Sequence, residues 1–69
     1  MLKEAELGIE YIIKSIETDD EELNTFLFSL GCYEGEPITV LRILRGAFVV
    51  AIKDARYTID KQLAEAIMI

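Results

Sequence analysis

FLFSLGCYEGEPITV, residues 26–40, opens as a helix and closes as a strand. Gly31 and Gly35 stand four residues apart in it, with Cys32, Tyr33 and Glu34 between them and Pro37 just after. Upstream, Leu23, Phe26, Leu27 and Leu30 fall at i, i+3, i+4 and i+7, which is one face of a helix. Phe28 lies off that stripe. Gly31 follows the last member of it, and glycine ends helices because it enters the left-handed conformation without a Cβ clash. Downstream, Glu36 to Arg45 holds Ile38, Val40, Leu41, Ile43 and Leu44 and reads as a strand. The junction therefore predicts a helix over residues 20–30, a turn built on Gly31 and Gly35, and a strand whose start tolerates the missing N–H of Pro37.

The helix start lies in Thr18-Asp19-Asp20-Glu21. Thr18 with Glu21, or Asp19 with Glu22, has capping-box spacing, and four acids from Asp19 to Glu22 suit the positive end of the helix dipole. Before it, residues 9–17 are rich in β-branched side chains and follow Gly8, so they read as one strand. The adjacent Ile12 and Ile13 break strict alternation and suggest a bulge or burial on both faces. After Glu36–Arg45 comes an Arg45-Gly46 turn. A strand around Phe48, Val50 and Ile52 follows, and then a tight turn at Lys53-Asp54-Ala55, where Asp54 can adopt positive φ. A short strand covers Arg56–Asp60. Lys61–Leu63 reads as a single helical or 3₁₀ turn, and Ala66–Ile69 as the closing strand. The result is a mainly β chain of five short strands with one helix between strands 1 and 2. Five strands in so small a domain avoid long open edges by closing into a bent barrel.

A chain of 69 residues is one domain, residues 1–69. With one cysteine it has no internal disulfide, which fits a reducing, cytoplasmic setting. The formal charge is −6. Phosphate backbones and anionic lipid attract basic surfaces, so nucleic acid is not an expected partner and neither is a membrane surface. No apolar run reaches the ~20 residues of a membrane span. The charged Met1–Glu6 start leads into no long apolar stretch, unlike a signal peptide. A chain beginning at Met1 favours a protein that stands alone.

Catalytic chemistry is thin. There is no histidine, which removes the commonest general base and metal ligand. Cys32 without a histidine partner reads as a small apolar residue. The acids Glu17–Glu22 lack calcium-loop spacing and read as a solvated helix cap. Gly31–Gly35 runs helix to strand, opposite to phosphate-cradling loops, so carbonyls and not amides would face an anion. Arg42, Arg45, Lys53 and Arg56 gather in the hairpin region and could meet an acidic partner, although polar positions on exposed strand faces explain most of them. Tyr33, Phe48 and Tyr57 could form a peptide-binding aromatic surface, although in so small a domain two of the three are expected in the core. No catalytic, metal or cofactor residue is assigned, and the chain is not read as an enzyme.

Taken together these features resemble the ferrous iron transport protein A (FeoA) family of small SH3-like barrels. Gly8–Ile16 resembles the opening strand, and Leu27–Gly35 the family's Leu-Gly-hydrophobic…Gly junction. Phe48–Ile52 with Tyr57–Ile59 resembles the central hairpin, and Ala64–Ile67 the closing segment. The chain departs from the family at Asn24, Thr25 and Phe26, where basic residues are frequent. It also departs at Cys32, Glu34 and Asp54, where an aliphatic residue, proline and glycine are usual. The resemblance implies an SH3-like five-stranded barrel, no catalysis, no cofactor, and an accessory role in ferrous iron uptake. The implied partner is FeoB, a membrane permease with a cytosolic GTPase domain. The candidate contact residues are Phe28, off the helix stripe, and Tyr33 in the loop, while Gly31, Gly35 and Gly46 are structural turns. A second reading is an SH3-like regulatory module related to the C-terminal domain of metal-dependent repressors, binding a peptide or protein. Two weaker readings are a small enzyme and a direct iron carrier, both opposed by the absence of histidine.

Overall fold

The computed structural model describes residues 1–69. The run read as one strand over residues 9–17 is two strands, β1 (Glu10–Ile12) and β2 (Ser15–Ile16), so the chain has six strands and not five. Side chains alternate through it, with Tyr11 half-buried, Ile12 exposed and Ile13 buried. Adjacent isoleucines are therefore ordinary alternation and not a bulge. The break has another cause, a change of hydrogen-bond partner. Ile13 N–H donates to Glu36 O (2.9 Å) and its carbonyl accepts from Gly35 N–H (2.8 Å), whereas Lys14 N–H donates to Met68 O (2.8 Å). The first half serves one sheet and the second half another.

The larger sheet is antiparallel in the order β1-β3-β4-β5, with β3 Pro37–Leu44, β4 Ala47–Ile52 and β5 Ala55–Ile59. The smaller pairs β2 with β6 (Ile67–Met68). Alternation along β4 puts Phe48, Val50 and Ile52 in the core. The β3–β4 register slips between Val40 and Arg42, leaving Leu41 as a bulge that bends the strand. Arg45 (φ 53°) and Gly46 (φ 80°) make a two-residue turn whose twist matches that of the strands. At the next hairpin the residue with positive φ is Lys53 (56°), not Asp54.

Helix α1 covers Glu21–Ser29, and its cap is Asp20, whose carboxylate accepts from the backbone N–H of Glu22 (3.0 Å) and Leu23 (3.2 Å). Neither Thr18 nor Asp19 takes that role, and the Thr18 hydroxyl accepts from Asp20 N–H instead. Leu27 is fully buried, with Leu23 and Leu30 packed beside it, but Phe26 turns largely outward. A narrow helix resting on a small barrel covers only part of the stripe. The C-terminal turn is longer than the sequence suggests: α2 spans Lys61–Ala66, capped by Asp60 through Leu63 N–H. Ala64 and Ala66 are buried, so small side chains bring this helix close to the barrel.

A 3₁₀ turn at Leu2–Glu4 has no counterpart in the sequence reading. Leu2 has no exposed surface, and Lys3 bonds Glu65 on α2 at 2.8 Å. Thirteen buried residues form one core, which includes Cys32 and no polar side chain. No helix is long and apolar enough to cross a membrane.

Candidate functional site

The C-terminus of α1 is closed by two reciprocal backbone bonds. Gly31 N–H donates to Phe28 O (3.0 Å) and Cys32 N–H to Leu27 O (2.9 Å). This is the Schellman arrangement, with Gly31 at C′ in the left-handed region (φ 92°). Its usual apolar clasp joins the residue after the glycine to the one five positions earlier, here Cys32 and Leu27, both buried. Cys32 is thus a packing residue. Burial pushes its thiol up to about 11, which keeps it neutral and unreactive.

The loop then turns at Tyr33-Glu34-Gly35-Glu36. Glu36 N–H donates to Tyr33 O (3.1 Å), and Gly35 at the third position has φ 90°, as a type II turn requires. The turn is held from the side by the paired bonds to Ile13. The two glycines therefore answer two different demands, one ending a helix and one reversing a loop.

Lys53, at the end of β4, lies across this junction. A Cβ on Gly31 would come within 3.0 Å of Lys53 Cε, so the bare glycine is what lets the lysine stem pass. Lys53 Nζ donates to Glu36 Oε1 at 2.7 Å and to the Tyr33 hydroxyl at 3.1 Å. The Glu36 bond, then the Tyr33 bond, raise the ammonium well above the ordinary lysine range. The ammonium is 5.3 Å from the Tyr33 ring centroid and closer to the hydroxyl, so the hydrogen bond and not the ring face holds it. The sequence places Lys53 among the basic hairpin residues but does not pair it with Glu36. They are far apart in the chain, and only strand register brings them together.

Phe28 packs its ring on Tyr33, with centroids 5.0 Å apart and planes tilted by 37°. Phe28 is 64% exposed and Tyr33 half-buried. The structure thus brings the two candidate contact residues together, with Phe28 left out of the core. Phe48 is in the core and Tyr57 packs at its edge. The basic residues do not form one patch. Lys53 is engaged by Glu36, Arg42 and Arg45 lie toward the β3–β4 tip, and Arg56 sits opposite Ala51 on β5. No three Cys, Asp or Glu side chains converge on a common point that could hold a metal ion.

The FeoA domain family matches residues 1–69, the whole sequence. The chain belongs to the FeoA domain family. No curated protein matches it. Among solved structures, this FeoA domain is similar to an iron uptake regulatory protein (FeoA), at 26% identity with a TM-score of 0.85, covering 97% of this chain and 89% of that one. Iron(II) transport protein A from Clostridium thermocellum superposes with a TM-score of 0.87 at 26% identity, over 97% of this chain and 42% of that one. FeoA from Stenotrophomonas maltophilia, a prokaryotic SH3 domain protein in complex with zinc, shares the fold (TM-score 0.85) at 17% identity, over 97% of this chain and 85% of that one. A manganese-dependent transcriptional repressor also matches, at 25% identity and a TM-score of 0.85, over 96% of this chain and 38% of the repressor. The fold is the SH3-like barrel with a short helix after its first, broken strand.

Proposed function

We propose that this chain is a non-catalytic accessory protein of ferrous iron uptake that works in the cytoplasm by contact with a FeoB-like membrane GTPase. The observation that carries the reading is the family match over the entire sequence. The names of the similar proteins, an iron uptake regulatory protein and an iron(II) transport protein, point the same way.

The contact surface we assign is the Phe28–Tyr33 pair. Exposed aromatic side chains are frequent among residues that dominate binding. Here Lys53 bonds the Tyr33 hydroxyl and the backbone turns fix the loop, so little freedom is lost on docking. The test is the double variant Phe28→Ala with Tyr33→Ala, measured against the purified FeoB-like protein of the same cell. Binding falls at least about tenfold while the melting temperature of the domain changes little. A folded double variant that binds like wild type rules this surface out.

The likeness to the manganese-dependent repressor favours one second reading, a module that regulates a DNA-binding protein. It predicts that the chain captures a repressor-type protein from native lysate and no membrane GTPase.

A further inference from the structure

The negative charge of this molecule is concentrated in one segment of the sequence. Residues 15–41 hold seven carboxylates, five of them within Glu17–Glu22, and no lysine or arginine. That segment carries −7, and the remaining residues, with six acids and seven bases, carry +1, which gives the net −6. The acidic segment is not purely polar. Phe26 on α1 is 48% exposed, and Phe28 more so. The one depression in the surface, about 450 Å³, lies on the outer face of α1, lined by Glu21, Glu22, Thr25, Phe26 and Ser29.

The β3–β4 tip has the complementary character. It reads Arg42-Ile43-Leu44-Arg45, and Ile43 and Leu44 are 46% and 55% exposed. Neither arginine makes an ion pair within the chain. The tip and the α1 terminus lie at opposite ends of β4, because Lys53 at the far end bonds Tyr33 and crosses Gly31. At ~3.3 Å per residue the two features are about 20 Å apart. The tip of the paired hairpin therefore lies remote from the C-terminus of its own helix.

We infer that the Arg42–Arg45 tip of one copy docks on the acidic, phenylalanine-bearing face of α1 in a second copy, head to tail. Leu44, on the face of β3 that it shares with Arg42 and opposite that of Ile43 and the buried Phe48, covers Phe26 and the depression beside it, and the arginines meet Glu21 and Glu22. The two patches differ, so the contact is heterologous. Each added copy leaves one tip and one face free, and growth continues to a ring or an open chain. Patches this small make a weak contact. Its charged rim makes association fall as salt rises. This inference stands apart from the iron-uptake reading. The docking face holds Phe26 and not Phe28, so self-association and partner binding use different flanks of α1.

Sedimentation equilibrium of the full chain from micromolar to millimolar concentration, at low and high salt, tests it. Two variants change exposed residues only: Arg42→Glu with Leu44→Ser at the tip, and Glu21→Gln with Phe26→Ser on the helix. Wild-type mass rises with concentration at low salt and stays monomeric at high salt. Each variant alone weakens association at least about tenfold. An equimolar mixture of the two regains association but stops at the dimer, since one partner has only an intact face and the other only an intact tip. A wild type that is monomeric at millimolar concentration and low salt overturns the inference. So does association indifferent to salt, which needs no variant to measure, or a mixture that behaves as its separate components do.

Discussion

Replacing Gly31 with alanine separates the two reasons a glycine is needed there. The first is backbone conformation: φ is 92° at Gly31 and 90° at Gly35. A side chain in left-handed backbone costs ~1–2 kcal/mol, offset by ~0.4–1 kcal/mol from the smaller entropy of the unfolded chain. Strain alone therefore leaves a net loss of about 1 kcal/mol at either glycine, or roughly 4–8 °C in melting temperature for a domain of this size. The second reason is space, and it applies only to Gly31. Its new Cβ would lie 3.0 Å from Lys53 Cε and 3.4 Å from Ile52 Cγ2, whereas a Cβ on Gly35 meets nothing within 4 Å. Lys53 must shift by a few tenths of an ångström to make room, which strains its bonds to Glu36 and Tyr33. Gly31→Ala is therefore predicted to melt lower than Gly35→Ala by differential scanning calorimetry. The excess vanishes when both are compared in a Lys53→Ala background. Equal melting temperatures for the two variants, or an excess that persists without Lys53, would refute the crossing of the lysine over Gly31.

Leu27→Ala removes a fully buried side chain that is also the anchor of the helix cap. It should cost ~2–5 kcal/mol in urea denaturation, enough to unfold much of so small a domain. The Cys32 thiol, held neutral to about 11 by burial, should resist alkylation at mildly alkaline pH until urea unfolds the chain, and rapid labelling of the native protein would contradict its placement. The hydrogen bond from Lys3 lowers the pKa of Glu65, so the stabilisation it gives is present above the ordinary glutamate value of about 4.3 and is lost as pH falls through the folded value. The difference in urea midpoint between wild type and Glu65→Gln should accordingly shrink on acidification. A difference that stays constant down to about pH 3 would exclude the Lys3–Glu65 pairing as its source.

Most of the fold can be read locally. The apolar stripe of α1, the glycine at its end, the alternation of β4 and the Arg45-Gly46 turn are each set by neighbouring residues. What escaped reading depends on residues far apart in sequence. Nothing near Ile13 announces that the strand changes partner there, because the reason is Glu36 on one side and Met68 on the other. Leu2 gives no periodic signal, yet it is fully buried, since α2 and the N-terminal turn come together only in the folded state. The site was half legible. Phe28 stood out by falling off the helical stripe, and Tyr33 by its place between two glycines. Lys53 was visible only as one of four basic hairpin residues, and its bond to Tyr33 was not, because a lysine at a hairpin turn looks like every solvated turn lysine.

A direct binding titration tests most plainly the proposed contact of this FeoA domain with a membrane GTPase. Isothermal titration calorimetry would be run between the purified chain and the full-length FeoB-like protein in detergent or nanodiscs, without nucleotide, with GDP and with a non-hydrolysable GTP analogue. A saturable one-site isotherm is expected in at least one nucleotide state, weakened at least about tenfold by Phe28→Ala with Tyr33→Ala. No heat of binding in any state, up to high micromolar concentrations of the folded wild-type chain, would contradict it.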